Sequence, residues 1–394
     1  MDWHAGLPWI LAPLAILASL FWCFMRGIGA LSLARLSHLK LSPLPDLPLP
    51  RLSIVIAALD EEETLEPALR SLLAQDYPGL EIVLVDDRSM DGTGAIMERL
   101  AAADPRLTVV HVKELPAGWL GKVNALREGF TRSHGEYVLF TDADIHYAPG
   151  ALRAALALAA AERLDHLTLL PRLRIQGFAH RVFMQAATIS IARFTGGRRG
   201  LTEPSLALGI GAFNLVRREA FAATEGFEWF RMDVVDDMAL GRLMRRPGAR
   251  CGFAYAEGAL EVLIYPSVAA TVRGVEKNFY GALARYSPAR AAVTVACMLL
   301  IAVGPFLAFL PGMPAWLQLF PAAAILSLAA EAFAGWRRFD MHFLPGLLAP
   351  FADLIAAYAL ARSAWLCQRQ GGIRWRGTLY PLEQLRAGRR VSFP

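Results

Sequence analysis

The sequence predicts an α/β domain built on a mostly parallel sheet, with transmembrane helices on its N- and C-terminal sides. Three observations predict it. Short apolar runs alternate with helical patterns from residue 51 to about 260, which is the mark of βαβ units. Long uncharged stretches stand before and after that region. Of the 394 residues 55% are hydrophobic and the mean hydropathy is +0.37, too apolar for an ordinary soluble chain.

Taken in order, residues 5–25 carry no charged side chain, enough to cross a bilayer. The positive charges Arg26, Arg35 and Lys40 follow this stretch instead of preceding it. That argues against a cleaved signal peptide and sets the next residues in the cytoplasm. Strands are then expected at 52–57, 81–86, 107–111 and 137–141, and helices at 62–74, 92–103 and 122–133. The alanine-rich run 151–161 reads as helix. Residues 180–194 offer an apolar face with basic edges. Val275, Phe279, Leu283 and Tyr286 recur at helical spacing between Arg273, Lys277 and Arg285, which predicts an amphipathic helix at the membrane surface.

Two further apolar stretches, 291–310 and 315–330, are joined by an uncharged outer turn and followed by a basic inner loop at 336–340. The last apolar segment, 343–366, contains Asp353, Arg362 and two prolines. If it spanned, the Arg-rich tail would lie outside, against the charge rule. The favoured reading is a re-entrant or interfacial segment with a cytoplasmic tail. The alternative is a full span with Asp353 and Arg362 facing protein. The expected divisions are an anchor with linker at 1–48, the α/β domain at 49–262, an interfacial region at 263–290, membrane helices at 291–367 and a basic tail at 368–394.

The net charge of +5 fits the usual cytoplasmic surplus of Lys and Arg. No long basic run is interleaved with aromatics, so no nucleic acid partner is expected. The four cysteines form no C-x-x-C, so neither a zinc site nor a disulfide framework is indicated.

The chemistry-bearing residues are carboxylates at strand ends. Asp142-Ala-Asp144 closes the run 137–141, and Asp86-Asp87 closes 81–86. Ligands of parallel sheets bind beyond the carboxyl ends of the strands. Two carboxylates separated by one residue can hold Mg²⁺ or Mn²⁺ against a diphosphate; plain loop carboxylates are the alternative. Asp86 and Asp87 also suit turn and cap chemistry before Ser89 and Asp91-Gly92. Lys122 opens a helix, where the dipole disfavours a cation, so a ligand contact competes with a solvated lysine. Asp236-Asp237 open another helical segment. Acidic residues favour a first turn, and a positioned carboxylate can also take a proton.

Four segments occur together in order: 85–93 (Val-Asp-Asp-Arg-Ser-Met-Asp-Gly-Thr), Gly121-Lys122 with Asn124, Thr141-Asp142-Ala143-Asp144, and Val235-Asp236-Asp237 through Leu240. This set resembles the motifs of family 2 glycosyltransferases of the GT-A fold over about 50–260. The anchored layout is most similar to enzymes that glycosylate lipids, such as ceramide glucosyltransferases and hopanoid- or carotenoid-associated bacterial glycosyltransferases. The resemblance implies a multi-pass enzyme of a bacterial-type inner membrane, with a cytoplasmic catalytic domain. It implies inverting transfer of one sugar from a nucleotide-sugar donor, UDP-linked in the first instance, to a lipid acceptor.

It also implies roles for named residues. Glu61, Asp86, Asp87, Lys122 and Asp142 would bind the nucleotide. Asp144 and Asp142 would hold the metal. Asp237, supported by Asp236, would be the base. Phe279, Leu283, Arg285 and Tyr286 would meet the acceptor and the membrane. The first-strand loop departs from the family pattern at 57–60. Arg285-Tyr286 stand where the family carries an Arg-Trp pair preceded by Gln or Arg, but Ala282 occupies that earlier position. The departure counts against a processive polysaccharide synthase. The remaining alternative is a membrane scaffold with an inactive domain.

Overall fold

The computed structural model describes residues 3–42, 48–194, 208–245, 248–263 and 265–391; residues 43–47 of the expected linker lie outside them. The chain forms two compact units. The α/β unit comprises the described parts of Ser37–Arg174, Gly200–Ile264 and Gln370–Pro394. The helical unit comprises those of Met1–Leu36, Ile175–Arg199 and Tyr265–Arg369.

In chain order the strands are β1 (Ser37–His38), β2 (Leu52–Ala58), β3 (Leu80–Asp86), β4 (Leu107–His111), β5 (Tyr137–Thr141), β6 (Ile145–Tyr147), β7 (His166–Leu170), β8 (Arg172–Leu173), β9 (Asn214–Arg217), β10 (Cys251–Tyr255), β11 (Leu260–Val262), β12 (Gly372–Trp375) and β13 (Thr378–Pro381). The main sheet runs β1-β10-β7-β9-β5-β2-β3-β4. Every pairing in it is parallel except those of β9, which lies antiparallel between β5 and β7. β5 is buried along its whole length, as an apolar run covered on both faces must be. The helix Leu65–Leu73 buries Leu65, Ala68, Leu69 and Leu72, one stripe at helical spacing, and packs beside β6. Strands β6, β11 and β8 form a small side sheet.

The four expected strands and three expected helices of the first half are all present, 107–111 and 137–141 as expected and the others with ends shifted by at most three residues. The helix expected from 62 starts at Leu65. Its first turn is taken by a loop whose backbone N–H groups at Glu61 and Glu62 donate to Thr93 Oγ1 (2.8 Å) and the Asp91 carboxylate (3.1 Å). Strands β7, β9 and β10 were not read from the sequence. Each has only four or five residues, too few for periodicity to separate a buried strand from a helix segment.

The basic tail is folded and belongs to the α/β unit. β12 and β13 pair as a hairpin whose two-residue turn, Arg376-Gly377, has positive φ at both positions (47° and 78°), the geometry that matches strand twist. The helix Leu382–Gly388 follows. The carboxylate of Asp233, only 1% exposed, accepts the backbone N–H groups of Arg390 (2.6 Å), Val391 (2.8 Å) and Val235 (3.1 Å). Burial raises its pKa, against the pull of these three donors.

In the helical unit, three helical segments are long and apolar enough to cross a membrane among the described residues: Trp9–Arg35, Pro288–Phe309 and Ala315–Arg338. The first continues ten residues past the uncharged stretch because Arg26 is buried against a partner. Glu331 accepts from Arg26 (2.9 Å) and from Arg193 (2.6 Å), and Asp353 lies 3.9 Å from Arg26. Buried ionisable groups in apolar helices pair in this way. Helix Leu319–Arg338 runs through the start of the expected inner loop. The segment 343–366 is broken into Phe343–Leu347 and Ala349–Gln370, next to Pro350.

The amphipathic helix is Val268–Ala284, capped by Ser267 Oγ accepting from Ala270 N at 3.2 Å. It stops two residues short of the expected Tyr286. Arg285 and Tyr286 both take left-handed backbone (φ 52° and 56°), an αL cap. The Tyr286 ring is therefore not on the helix face. It is buried, folded back over Gly281 and edge-on to Tyr280 at 5.5 Å. Phe279 and Leu283 are half-buried on the helix, and Arg285 is exposed.

Asp233→Ala leaves three backbone donors without their acceptor. The expected loss is about 1–3 kcal/mol of stability. Limited trypsin digestion should then cut the tail near Arg386–Arg390 well before the rest of the unit, whereas wild type should resist there.

Candidate active site

The carboxyl ends of β2, β3 and β5 lie side by side, since β2 pairs in register with both neighbours. The chain leaves β2 through Glu61, β3 through Asp86-Asp87 and β5 through Asp142-Ala143-Asp144. Sheet topology alone brings these residues to one edge. The helix Gly121–Arg132 starts at that edge, and so does the helix Asp236–Met244.

Lys122 is the centre of the cluster. Its Nζ lies 2.7 Å from Asp142 Oδ1 and 3.4 Å from Asp236 Oδ2. This explains a lysine in the first turn of a helix: two carboxylates offset the unfavourable dipole. Asp237 is fixed by backbone donors, accepting Gly211 N at 2.9 Å on Oδ2 and Met238 N at 2.8 Å on Oδ1. Gly211 ties the two carboxylate pairs together, because its carbonyl also accepts Asp142 N at 3.0 Å. A larger residue there would displace the Asp142 carboxylate, since a Cβ would stand 2.4 Å from Asp142 Oδ2. Lys122, Asp142, Gly211, Asn214, Asp236 and Asp237 line one small cavity.

The electrostatics follow from crowding. Burial pushes the Asp144 carboxyl up to about 7, helped by the charges of Asp142 and Glu61. Burial likewise pushes Asp237 up to about 6, with Asp236 adding repulsion and Lys122 opposing it. Burial works against the charge on Lys122, but Asp142, Asp236 and Asp237 outweigh it and hold its pKa well above that of ordinary lysine.

On the β3 side, Asp86 is buried and accepts Ser89 N at 3.0 Å, the turn chemistry foreseen for it. Its other oxygen meets His111 Nδ1 at 2.8 Å, and His111 Nε2 meets Glu98 at 2.9 Å. The bond to Asp86, then that to Glu98, raises the His111 pKa. Asp87 is buried under a two-point contact from Arg88 (2.9 and 3.1 Å); burial raises its pKa and Arg88 pulls it down. Neither aspartate caps the next helix, whose N-cap is Gly92. Glu61 accepts from Thr64 Oγ1 at 2.8 Å and pairs with Arg376.

Eight of the residues singled out from the sequence thus belong to one unit: Glu61, Asp86, Asp87, Lys122, Asp142, Asp144, Asp236 and Asp237. Asp144 sits on the loop after β5. Phe279, Leu283, Arg285 and Tyr286 belong to the helical unit. Sequence reasoning missed Arg88, His111, Gly211, Arg376 and Tyr380. The Gly209-x-Gly211 pattern before β9 was the one local signal available, since closely set glycines mark close backbone approach.

Comparison with known proteins bears on the fold and the family. Residues 53–224 match the family described as Glycosyl transferase family 2. A Beta-monoglucosyldiacylglycerol synthase from Synechocystis sp. is 29% identical over 235 residues, covering 56% of this chain and 47% of that protein. A GalNAc(5)-diNAcBac-PP-undecaprenol beta-1,3-glucosyltransferase from Campylobacter jejuni is 32% identical over 104 residues, 26% of this chain and 33% of that protein. The chain therefore spans less than half the length of these two relatives. The mannosyltransferase PcManGT from Pyrobaculum calidifontis, solved with GDP-Man and Mn²⁺, superposes with a TM-score of 0.51 at 19% identity, covering 88% of this chain and 98% of that one, a likeness of fold. From the sheet order, the carboxylates at its strand ends and the match over 53–224, the α/β unit is a family 2 glycosyltransferase domain of the GT-A fold.

Proposed function

We propose that the protein is an inverting glycosyltransferase that moves a single sugar from a nucleotide-sugar donor to a membrane lipid. The observation that carries this is the ring of Asp142, Asp236 and Asp237 around Lys122 at the ligand edge of the sheet, in a chain whose described residues also hold three helical segments apolar enough to span a bilayer.

Asp237 acts as the base. The acceptor hydroxyl gives its proton to the Asp237 carboxylate as its oxygen bonds to C1 of the sugar. The bond from C1 to the diphosphate oxygen breaks, and the nucleoside diphosphate leaves with the electron pair. One displacement inverts C1. The backbone donors at Gly211 and Met238 hold the carboxylate still, and Asp236 keeps Lys122 in place. Lys122 offers its ammonium to the diphosphate. Asp86 and Asp87 accept from the nucleotide, with His111 and Arg88 fixing their orientation.

The donor set fits a divalent cation. Asp142 and Asp144 are hard oxygen ligands; burial first, then the charge of Asp142, raises the pKa of Asp144, and a cation would offset both. Mg²⁺ and Mn²⁺ are often bound by one or two carboxylates plus substrate phosphates, and Asp142 with Asp144 would supply the carboxylates. Bound there, such an ion would supply charge stabilisation to the departing diphosphate.

A lipid acceptor is supported by the apolar helices and by relatives whose names specify lipid products or lipid-linked substrates. Pulling an acyl or terpenoid chain into water costs about 0.8 kcal/mol per CH₂, so the reacting hydroxyl is met at the membrane. The half-buried Phe279 and Leu283, with Arg285 at the helix end, are the proposed membrane-side contacts; Tyr286 supports them from inside. The tail's place in the α/β unit bears on topology. Both ends of 265–369 return to that unit, which supports an even number of membrane crossings for this segment. Pro288–Phe309 and Ala315–Arg338 supply two crossings, and Ala349–Gln370 then stays at the interface. The charge rule puts the catalytic domain and tail in the cytoplasm.

Purified protein in lipid vesicles, offered UDP-linked sugars and Mn²⁺, should transfer sugar to a lipid, and EDTA should abolish the transfer. Preference for a soluble acceptor would remove the lipid reading, and full activity in EDTA would remove the metal.

The base assignment predicts a pH profile. With its pKa near 6, Asp237 is deprotonated and competent above that pH. Turnover should fall about tenfold per unit as pH drops below about 6. Asp237→Asn should lower turnover by about 10² or more and flatten the acid limb, while UDP still binds. Normal turnover by Asp237→Asn, with loss in Asp236→Asn, would reverse the assignment within the pair.

A further inference from the structure

The hairpin β12–β13 brings a guanidinium to the nucleotide edge of the sheet from the far end of the chain. Its turn residue Arg376 bonds the Glu61 carboxylate and reaches the Asp60 carbonyl at 3.4 Å. Four residues on, the buried Tyr380 hydroxyl accepts the N–H of Gly121, the first residue of the helix that carries Lys122, at 3.1 Å. That helix start is pressed on Asp87, since a Cβ on Gly121 would stand 2.3 Å from Asp87 Oδ2. The hairpin therefore touches the loop after β2 and the helix start beside Asp87. The three strand-end loops between these contacts are where a nucleoside diphosphate would lie.

Charge balance points the same way. A diphosphate adds negative charge to an edge that already holds Glu61, Asp87, Asp142, Asp144, Asp236 and Asp237. Lys122 is engaged by Asp142 and Asp236, and Arg88 by Asp87. Arg376 is held by a weaker tie. Its side chain is 44% exposed and that of Glu61 24%, and solvent-exposed ion pairs contribute little and exchange readily. Glu61 follows β2 at the edge where Asp142 and Asp144 follow the neighbouring β5, so Arg376 waits beside the expected position of the metal and diphosphate. A planar guanidinium matches phosphate oxygens two at a time.

We propose that Arg376 is a donor-binding residue whose guanidinium leaves Glu61 for a diphosphate oxygen when the nucleotide sugar enters, with Tyr380 pinning the hairpin in register. This rests on the glycosyltransferase reading and adds a residue to its donor site. The tail then completes the site, instead of being an appendage to it.

The test uses the full chain in detergent with Mn²⁺. Binding of UDP is measured by calorimetry, and binding of uridine, which lacks phosphates, by ligand-detected NMR. Arg376→Ala should weaken UDP about tenfold or more, as the loss of a charge-assisted bond implies, and leave uridine within about twofold. Arg376→Lys should recover part of the UDP affinity. Unchanged UDP binding in Arg376→Ala would overturn the proposal. Equal losses for UDP and uridine would also overturn it, because a hairpin that only shapes the pocket does not distinguish them. If wild type bound none of UDP, GDP, ADP and TDP, the glycosyltransferase reading would fall, and this proposal with it.

Discussion

Too many carboxylates meet at one edge of a sheet, and the cations that hold them there govern the rest of the α/β unit. Lys122 joins Asp142 after β5 to Asp236 at the start of a distant helix. Without it those charges would repel across a partly buried gap. The chain accepts a lysine in a first turn, against the helix dipole, because this contact outweighs the cost. Gly211 completes the tie through the backbone, donating to Asp237 and accepting from Asp142. The pKa values raised at Asp144 and Asp237 come first from burial and then from that crowding. Unrelieved charge of this kind concentrates where a ligand or metal is expected.

The same logic repeats along the edge. Arg88 covers Asp87, His111 covers Asp86, and Arg376 covers Glu61. Each of these three carboxylates has a basic partner, and the partners come from different parts of the chain. Arg88 is the next residue in sequence. His111 comes from the neighbouring strand. Arg376 comes from the tail, more than three hundred residues later. An arrangement drawn from such separated segments holds only if the tail is docked. Asp233, buried and accepting three backbone N–H groups, does that docking.

The helical unit uses a comparable device for a different end. Glu331 gathers Arg26 and Arg193, and Asp353 stands beside Arg26. Four helices are thereby fixed by charge in an apolar setting, where an unpaired ionisable group would be costly. Gly29 permits the approach, with the Glu331 carboxylate occupying the space its side chain would take. These charges are all paired within the bundle, which separates them from the strand-end set, whose partners are half-exposed.

The sequence by itself determined the fold class, the elements up to Thr141, and the identity of the strand-end carboxylates. Local physics suffices for these: β5 is a buried apolar run, an aspartate after it can only sit at the ligand edge, and uncharged stretches of twenty residues seek a bilayer. It also fixed the weak point of 343–366, since prolines and an Asp break the apolar pattern. Tertiary structure decided what periodicity does not encode. The antiparallel insertion of β9 is set by pairing with β5 and β7, a long-range choice. The ending of the amphipathic helix at Ala284 depends on Tyr286 finding room over Gly281. The return of the tail to the α/β unit depends on Asp233 and Tyr380 contacts across more than a hundred residues. No window of sequence contains both partners of such a contact, so neither Arg376 nor Tyr380 could be read as part of the site before the chain was folded.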